Sequence, residues 1–293
     1  MRTVASNRNH AEALVGVLDR FNWKYVSVVY SDDEYGNDMY DNVKKLVGDK
    51  NICFALAVKV LKNFGAVDFN TILTELQFNP QAKVVLLLTN DIDTKALLEE
   101  AENMAVHDLQ WIAGETWGAR QDIIQQSPLT TAGSIVLQFR SEPVHGFREY
   151  FTSRPTYTNL RNPWWKQYLS DYFQCNIPTI DVPAKYDRQC GSLDLDSVFV
   201  EAAEVQYLVR AVNIFAVGLQ FAMAELCPNV TSYVCQAVLE NPDALQRNIQ
   251  GAGFQHTDGS VFQFDEIGNG PAYFDIFNVQ HIQDNKVAYT KVK

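Results

Sequence analysis

Val84-Val85-Leu86-Leu87-Leu88 is an aliphatic run without a polar position. Successive strand side chains point to opposite faces, so such a run is a strand buried on both sides. Helical patterns flank it: Phe69, Ile72, Leu73 and Leu76 before, then Ala96, Leu97, Ala101 and Met104 after. Further toward the N-terminus, Tyr25 to Tyr30 (YVSVVY) and Cys53 to Val60 (CFALAVKV) are β-branched and aromatic runs that predict strands. Met39, Val43, Leu46 and Val47 fall at helical spacing between them. Ala11, Leu14, Val15, Leu18 and Phe21 predict an opening helix with Asn7 as its N-cap. Toward the C-terminus, Trp111-Ile112-Ala113 and Ser134 to Phe139 (SIVLQF) are two more strands. Strands and helices alternating in this way imply right-handed βαβ units, hence the α/β class with a parallel sheet flanked by helices.

Beyond Phe139 the character changes. Phe147, Tyr150 and Phe151 lie on one short helix, and Trp165, Tyr168, Leu169 and Tyr172 on a second. An irregular stretch from Phe173 to Asp196 holds Cys175 and Cys190. The most apolar segment, Val198 to Leu226, carries Glu201, Glu204, Arg210 and Glu225. It reads as a long buried amphipathic helix, since no window offers the roughly 18 uncharged apolar residues of a membrane span. A short helix is expected around Asp243 to Ile249. A hairpin-like pair closes the chain, Val261 to Phe264 and Tyr273 to Gln280, joined by Asp265 to Gly270 (DEIGNG).

The 293 residues are 47% hydrophobic, enough for a sizeable core. A net charge of −11 weighs against nucleic acid and against an anionic membrane surface as partners. No GxSxG elbow, P-loop, GxGxxG or HExxH is present, and the histidines lie far apart and read as scattered surface groups. An enzyme is therefore not expected, nor is any cofactor or metal. The opening Met1 to Asn7 has no apolar stretch after Arg2 and is no secretory signal.

Ligands of an open parallel sheet sit beyond the carboxyl ends of its strands. Those ends are Ser31 to Gly36 (SDDEYG), Thr89-Asn90-Asp91, and Gly114 to Arg120 (GETWGAR), all polar or acidic. An ammonium group would find Glu115 and the acidic first loop there, and Arg120 suits a carboxylate. A zwitterionic amino acid needs both kinds of partner. Asp32, Asp33 and Glu34 also suit helix capping, Asn90 and Asp91 an N-cap pair, and Trp117 a place in the core.

Five cysteines cannot all pair within one chain. Cys175 and Cys190 would close a loop of about 15 residues, and Cys227 and Cys235 a tighter one. The tighter loop contains the sequon Asn229-Val230-Thr231, a glycosylation site if secreted. Cys53 is left over, either a free buried thiol or one bonded to a cysteine outside the chain.

RTVASN (from Arg2), FNWKYVSVVYSDDEYG (from Phe21), GETWGAR, HGFREYF (from His145), RNPWWKQY (from Arg161) with FQC after it, LCPNVTSYVC (from Leu226) and FDEIGNGPAYFDIFNVQ (from Phe264) occur here in series. In this order they resemble the extracellular ligand-binding region of metabotropic glutamate receptors, class C G-protein-coupled receptors. The resemblance spans nearly the whole chain. It implies a periplasmic-binding-protein-like (type I) Venus flytrap whose two lobes close on an amino acid. Residues 1–140 match the second lobe, 141–265 the returning part of the first lobe, and 266–293 the re-entry to the second. The opening of the first lobe, the cysteine-rich linker and the membrane helices would lie outside this segment.

The resemblance also assigns roles. Tyr35 matches a ligand-contacting tyrosine, Glu115 stands where an aspartate binds the α-ammonium, and Arg120 matches the arginine of that loop. Asn7 replaces an aspartate near the ammonium, and Asp91 replaces a glycine. The lysine that would hold a side-chain carboxylate is absent, its place falling near Leu239, so the ligand is glutamate or, better suited, another small amino acid. Cys53 matches a cysteine bonded to the linker. The implied whole is a dimeric receptor at the cell membrane, with this region outside and a G protein bound through the membrane part. The alternatives are a soluble or periplasmic amino-acid-binding protein without a signalling partner, and a receptor of the same fold coupled to a guanylyl cyclase.

Overall fold

A computed structural model describes residues 1–154, 158–159, 161–177, 185–197, 199–230, 233–255, 261–282 and 286–292. The strands are β1 (Tyr25–Ser31), β2 (Cys53–Val60), β3 (Val84–Leu88), β4 (Gln110–Ala113), β5 (Ile135–Phe139), β6 (Gly253–Gln255), β7 (Val261–Gln263), β8 (Phe274–His281) and β9 (Val287–Lys291). The helices are α1 (Asn7–Arg20), α2 (Glu34–Val47), α3 (Ala66–Gln77), α4 (Asp91–Asn103), α5 (Gln121–Gln126), α6 (Pro128–Thr131), α7 (Phe147–Thr152), α8 (Trp165–Phe173), α9 (Glu204–Leu226), α10 (Gln236–Leu239) and α11 (Pro242–Gly251).

Seven strands form one sheet in the order β2-β1-β3-β4-β5-β8-β9. β1 to β5 are parallel, and β8 and β9 extend the sheet antiparallel. This is the α/β architecture with a mostly parallel sheet expected of a periplasmic-binding-protein-like region. The period-2 rule sorts the strand side chains into two cores. Val85, Leu87, Trp111 and Val136 pack with α3 and α4 on one face, while Val84, Leu86, Ile112 and Leu137 pack with α1 and α2 on the other. Every residue of β3 is buried, as its composition requires.

The chain divides into two compact units, Met1–Arg140 with Tyr207–Lys293, and Ser141–Gln206. The second is built around Trp165, Leu169, Ile177 and Leu195, and Cys175 is bonded to Cys190 within it. The other expected pair, Cys227 and Cys235, is bonded as well, with Cα atoms 6.6 Å apart.

Four expectations need correction. Ser6, not Asn7, caps α1: its extended backbone lets its Oγ accept the Asn9 N–H at 3.2 Å, and Asn9 Oδ1 accepts the Ser6 N–H in return. The closing hairpin does not form. β7 pairs with β6, whereas β8 pairs with β5 through Phe139 and Phe274. The intervening loop is folded on itself instead, Asp265 Oδ1 accepting the N–H groups of Ile267 and Asn269, and Gly270 N–H donating to Arg2 O. Helix α9 begins at Glu204, and only 22% of its most apolar window is buried. That window has a mean hydropathy of 1.5, so α9 is long and apolar enough to cross a membrane by length and composition, although Arg210 and Glu225 leave no run of 18 uncharged residues in it. Finally, Cys53 is exposed, at the start of edge strand β2, and is no buried thiol.

Candidate ligand site at the carboxyl rim of the sheet

Because β1, β3 and β4 run parallel, their carboxyl ends deliver three loops to one rim. Hydrogen bonds join those loops. Asn90 N–H donates to Ser31 Oγ at 3.2 Å, and Asn90 Nδ2 donates to Asp33 Oδ2 at 3.0 Å and Asp93 Oδ2 at 2.8 Å. Thr116 Oγ1 donates to Thr89 O at 2.8 Å, tying the third loop to the second. Two of these groups also start helices: Asp33 accepts from Gly36 N–H to cap α2, and Asn90 accepts from Asp93 N–H to cap α4. Burial raises the Asp33 carboxyl, but hydrogen bonds from Gly36, Asn90 and Ser31 outweigh it and leave the group below its ordinary value. Asp93 lacks that surplus of donors, and burial pushes it up.

Tyr35 and Glu115 come together at this rim. Burial and the nearby Glu115 charge push the Tyr35 phenol well above its ordinary value, while a hydrogen bond with Thr116 acts in the other direction. Behind Glu115 stands His10, fully buried on α1, with Nδ1 against Glu115 Oε2. The imidazole stacks on Phe274 at 5.2 Å and lies 5.8 Å from Phe139. It fits there because residue 114 is glycine: a Cβ would collide with the His10 ring. Burial pushes the His10 pKa down to about 3. A neutral imidazole beside a carboxylate is best accommodated as the tautomer that carries its proton on the nitrogen facing it.

Arg120 and Asp91 also meet, at the outer side of the rim. Arg120 Nη1 donates to Asp91 Oδ2 at 2.7 Å, and its Nε and Nη2 bond both oxygens of Asp122. These carboxylates hold the guanidinium more firmly charged than usual, and Arg120 in turn lowers Asp122. Tyr289 locks the loop from below, accepting from Trp117 Nε1 and donating to Arg120 O at 2.7 Å. Trp117 is fully buried, as a core residue. Asn7 lies apart from these groups in its bonding, donating to Asp38 Oδ2 at 2.8 Å. Leu239 is 70% exposed on α10. Asn229 is exposed, and the Thr231 of its sequon lies outside the described residues.

Sequence reading missed His10 and Thr116. His10 is not a surface group, and the sign was present: His10, Leu14 and Val17 follow the spacing of one buried helix face. Thr116 left no comparable sign, because its bond to Thr89 O depends on how two loops meet.

A family model described as the receptor family ligand binding region matches residues 1–282, which takes in every element up to β8. The match covers the rim loops, six of the seven strands of the large sheet and both disulfides, and with it this chain belongs to the ANF-receptor family of receptor ligand-binding regions.

Proposed function

We propose that this receptor region senses a small α-amino acid from the extracellular side of the cell membrane, as part of a metabotropic-glutamate-type G-protein-coupled receptor, and transforms nothing chemically. The observation that carries the reading is the convergence of Tyr35, Glu115 and Thr116 at the carboxyl rim, with His10 behind Glu115. Glu115 is the partner of the ligand ammonium, a charge-assisted pair in a partly buried setting. Tyr35 forms the adjoining wall. Arg120 is bonded to Asp91 and Asp122, so its role is to shape the rim, and it reaches a ligand carboxylate only by exchanging one of them.

Ligand binding shifts the region toward a closed state in proportion to its differential affinity for that state, and closure is the signal to the G protein. Leu239 offers no cation for a second carboxylate, which favours a ligand with a neutral side chain over glutamate. The exposed Cys53 suits a disulfide to the linker of the receptor, and the exposed Asn229 suits a glycan. In the membrane the receptor is a dimer.

The test is isothermal titration of the full ectodomain across the amino acids, with Glu115→Ala beside the wild type. Loss of the charge-assisted pair is expected to weaken binding about tenfold or more. Equal affinity in the two proteins would remove Glu115 from the site.

A further inference from the structure

Helix α1 covers only part of its face of the sheet. Leu14 and Leu18 are fully buried in the core on that side, but Phe274, Ile276 and Asn278 of β8 stay partly exposed and Gln280 is exposed. Between α1, β5 and β8 runs a half-open groove of about 860 Å³. Its walls are apolar: Phe21 and Trp23 follow the end of α1, Ile135 belongs to β5, and Phe274 and Ile276 belong to β8. The Phe21 and Trp23 rings stack at 4.6 Å. Small-molecule sites commonly measure about 300–1,000 Å³, with apolar walls and a few convergent polar groups.

The polar groups here are not equivalent. Gln110 Nε2 donates to Gly133 O and Trp111 O, Asn278 Nδ2 donates to Gly133 O and Ser134 O, and Gln280 Oε1 accepts from Thr290. Their side chains are committed within the fold. Arg20 differs: it is exposed in the last turn of α1, lines the groove, and its guanidinium has no hydrogen bond or ion pair among the described residues. The adjacent carboxylate, Asp19, is taken by Lys24 and Lys50. An apolar trough with one unpaired guanidinium matches a molecule with an apolar body and one carboxylate, which a guanidinium can bind bidentately.

We propose that this groove binds a free alkyl monocarboxylate, its chain along Phe21, Trp23 and Ile276 and its carboxylate on Arg20. The site is separate from the rim beyond β1, β3 and β4, and its test does not depend on the amino-acid reading.

Dodecanoate serves as the probe, titrated calorimetrically into the 293-residue chain below its micelle concentration, beside uncharged dodecanol. Two variants decide the outcome. Arg20→Gln removes the cation and should weaken dodecanoate about tenfold while leaving dodecanol unchanged. Gly16→Leu fills the groove, since Gly16 lines it and a Cβ there meets nothing within 4 Å. Leucine also suits a helix better than glycine, so this variant should melt no lower than wild type and bind neither probe. Absence of saturable binding to the wild type, undiminished dodecanoate affinity in Arg20→Gln, or retained binding in Gly16→Leu would each overturn the proposal. A dimer seen by light scattering that Gly16→Leu returns to monomer would give the face to a second copy and overturn it too.

Discussion

His10 is a buried imidazole whose neighbours decide its charge. Phe139 and Phe274 pack against the ring, and among the described residues the Glu115 carboxylate is the charged partner it meets. Its folded-state pKa is depressed to about 3 from 6.5, so the unfolded chain binds the proton more readily. The stability this contributes is complete above 6.5 and is lost as pH falls toward 3, by up to about 1.4 kcal/mol per unit. The expected result is that the melting temperature of wild type falls faster than that of His10→Gln when pH drops from about 7 to about 5. Parallel curves from calorimetry would show that the imidazole is not held neutral. The same geometry explains why position 114 is glycine, since any side chain there would displace the ring that backs Glu115.

Among the elements, β3 and α9 stand at opposite ends of burial. β3 is central in the sheet and covered on both faces, so truncating Leu86, which is fully buried, should cost about 2–5 kcal/mol by leaving a cavity. α9 is a long apolar helix with Leu208, Val212 and Phe215 exposed, and its contacts include those of the buried Ile214 and Ala222. Another is Gly218, where a Cβ would come within 2.6 Å of the Ile249 backbone on α11. Gly218→Ala improves helix propensity yet should lower stability by about 1–3 kcal/mol through overpacking, a sign that urea denaturation reads directly. A more stable variant would mean that α9 and α11 do not meet there. These helices were legible as helices from spacing alone. Their burial was not, because a mean hydropathy of 1.5 describes composition and says nothing about what lies beside the helix.

The molecule as a whole joins a unit with a large sheet to a small one, Ser141–Gln206. The sheet unit has two extensive cores, whereas the buried cluster of the small unit comprises, among the described residues, Trp165, Leu169, Ile177 and Leu195. A unit as short as Ser141–Gln206 gains from a covalent staple, and the Cys175–Cys190 bond closes a 15-residue separation within it, worth about 3 kcal/mol in the chain-entropy model. Replacing both cysteines by serine should lower the melting of aromatic signals from Trp165 without shifting the transition of the sheet unit. A common shift of both transitions would show that the two units unfold together.

Composition and periodicity were enough for the βαβ order, the doubly buried β3, the two disulfides and the rim, because each depends on neighbours in sequence or on the fixed polarity of parallel strands. Pairing of β8 with β5 was beyond their reach: both partners of a closing hairpin looked available, and the choice fell to the free edge of the sheet at β5. The same holds for the contact of His10 with Glu115, for the tie of Thr116 to Thr89, and for the commitment of Arg120 to Asp91 and Asp122. Those contacts join residues from separate loops and helices, and no local propensity encodes the distance between them until the core has packed.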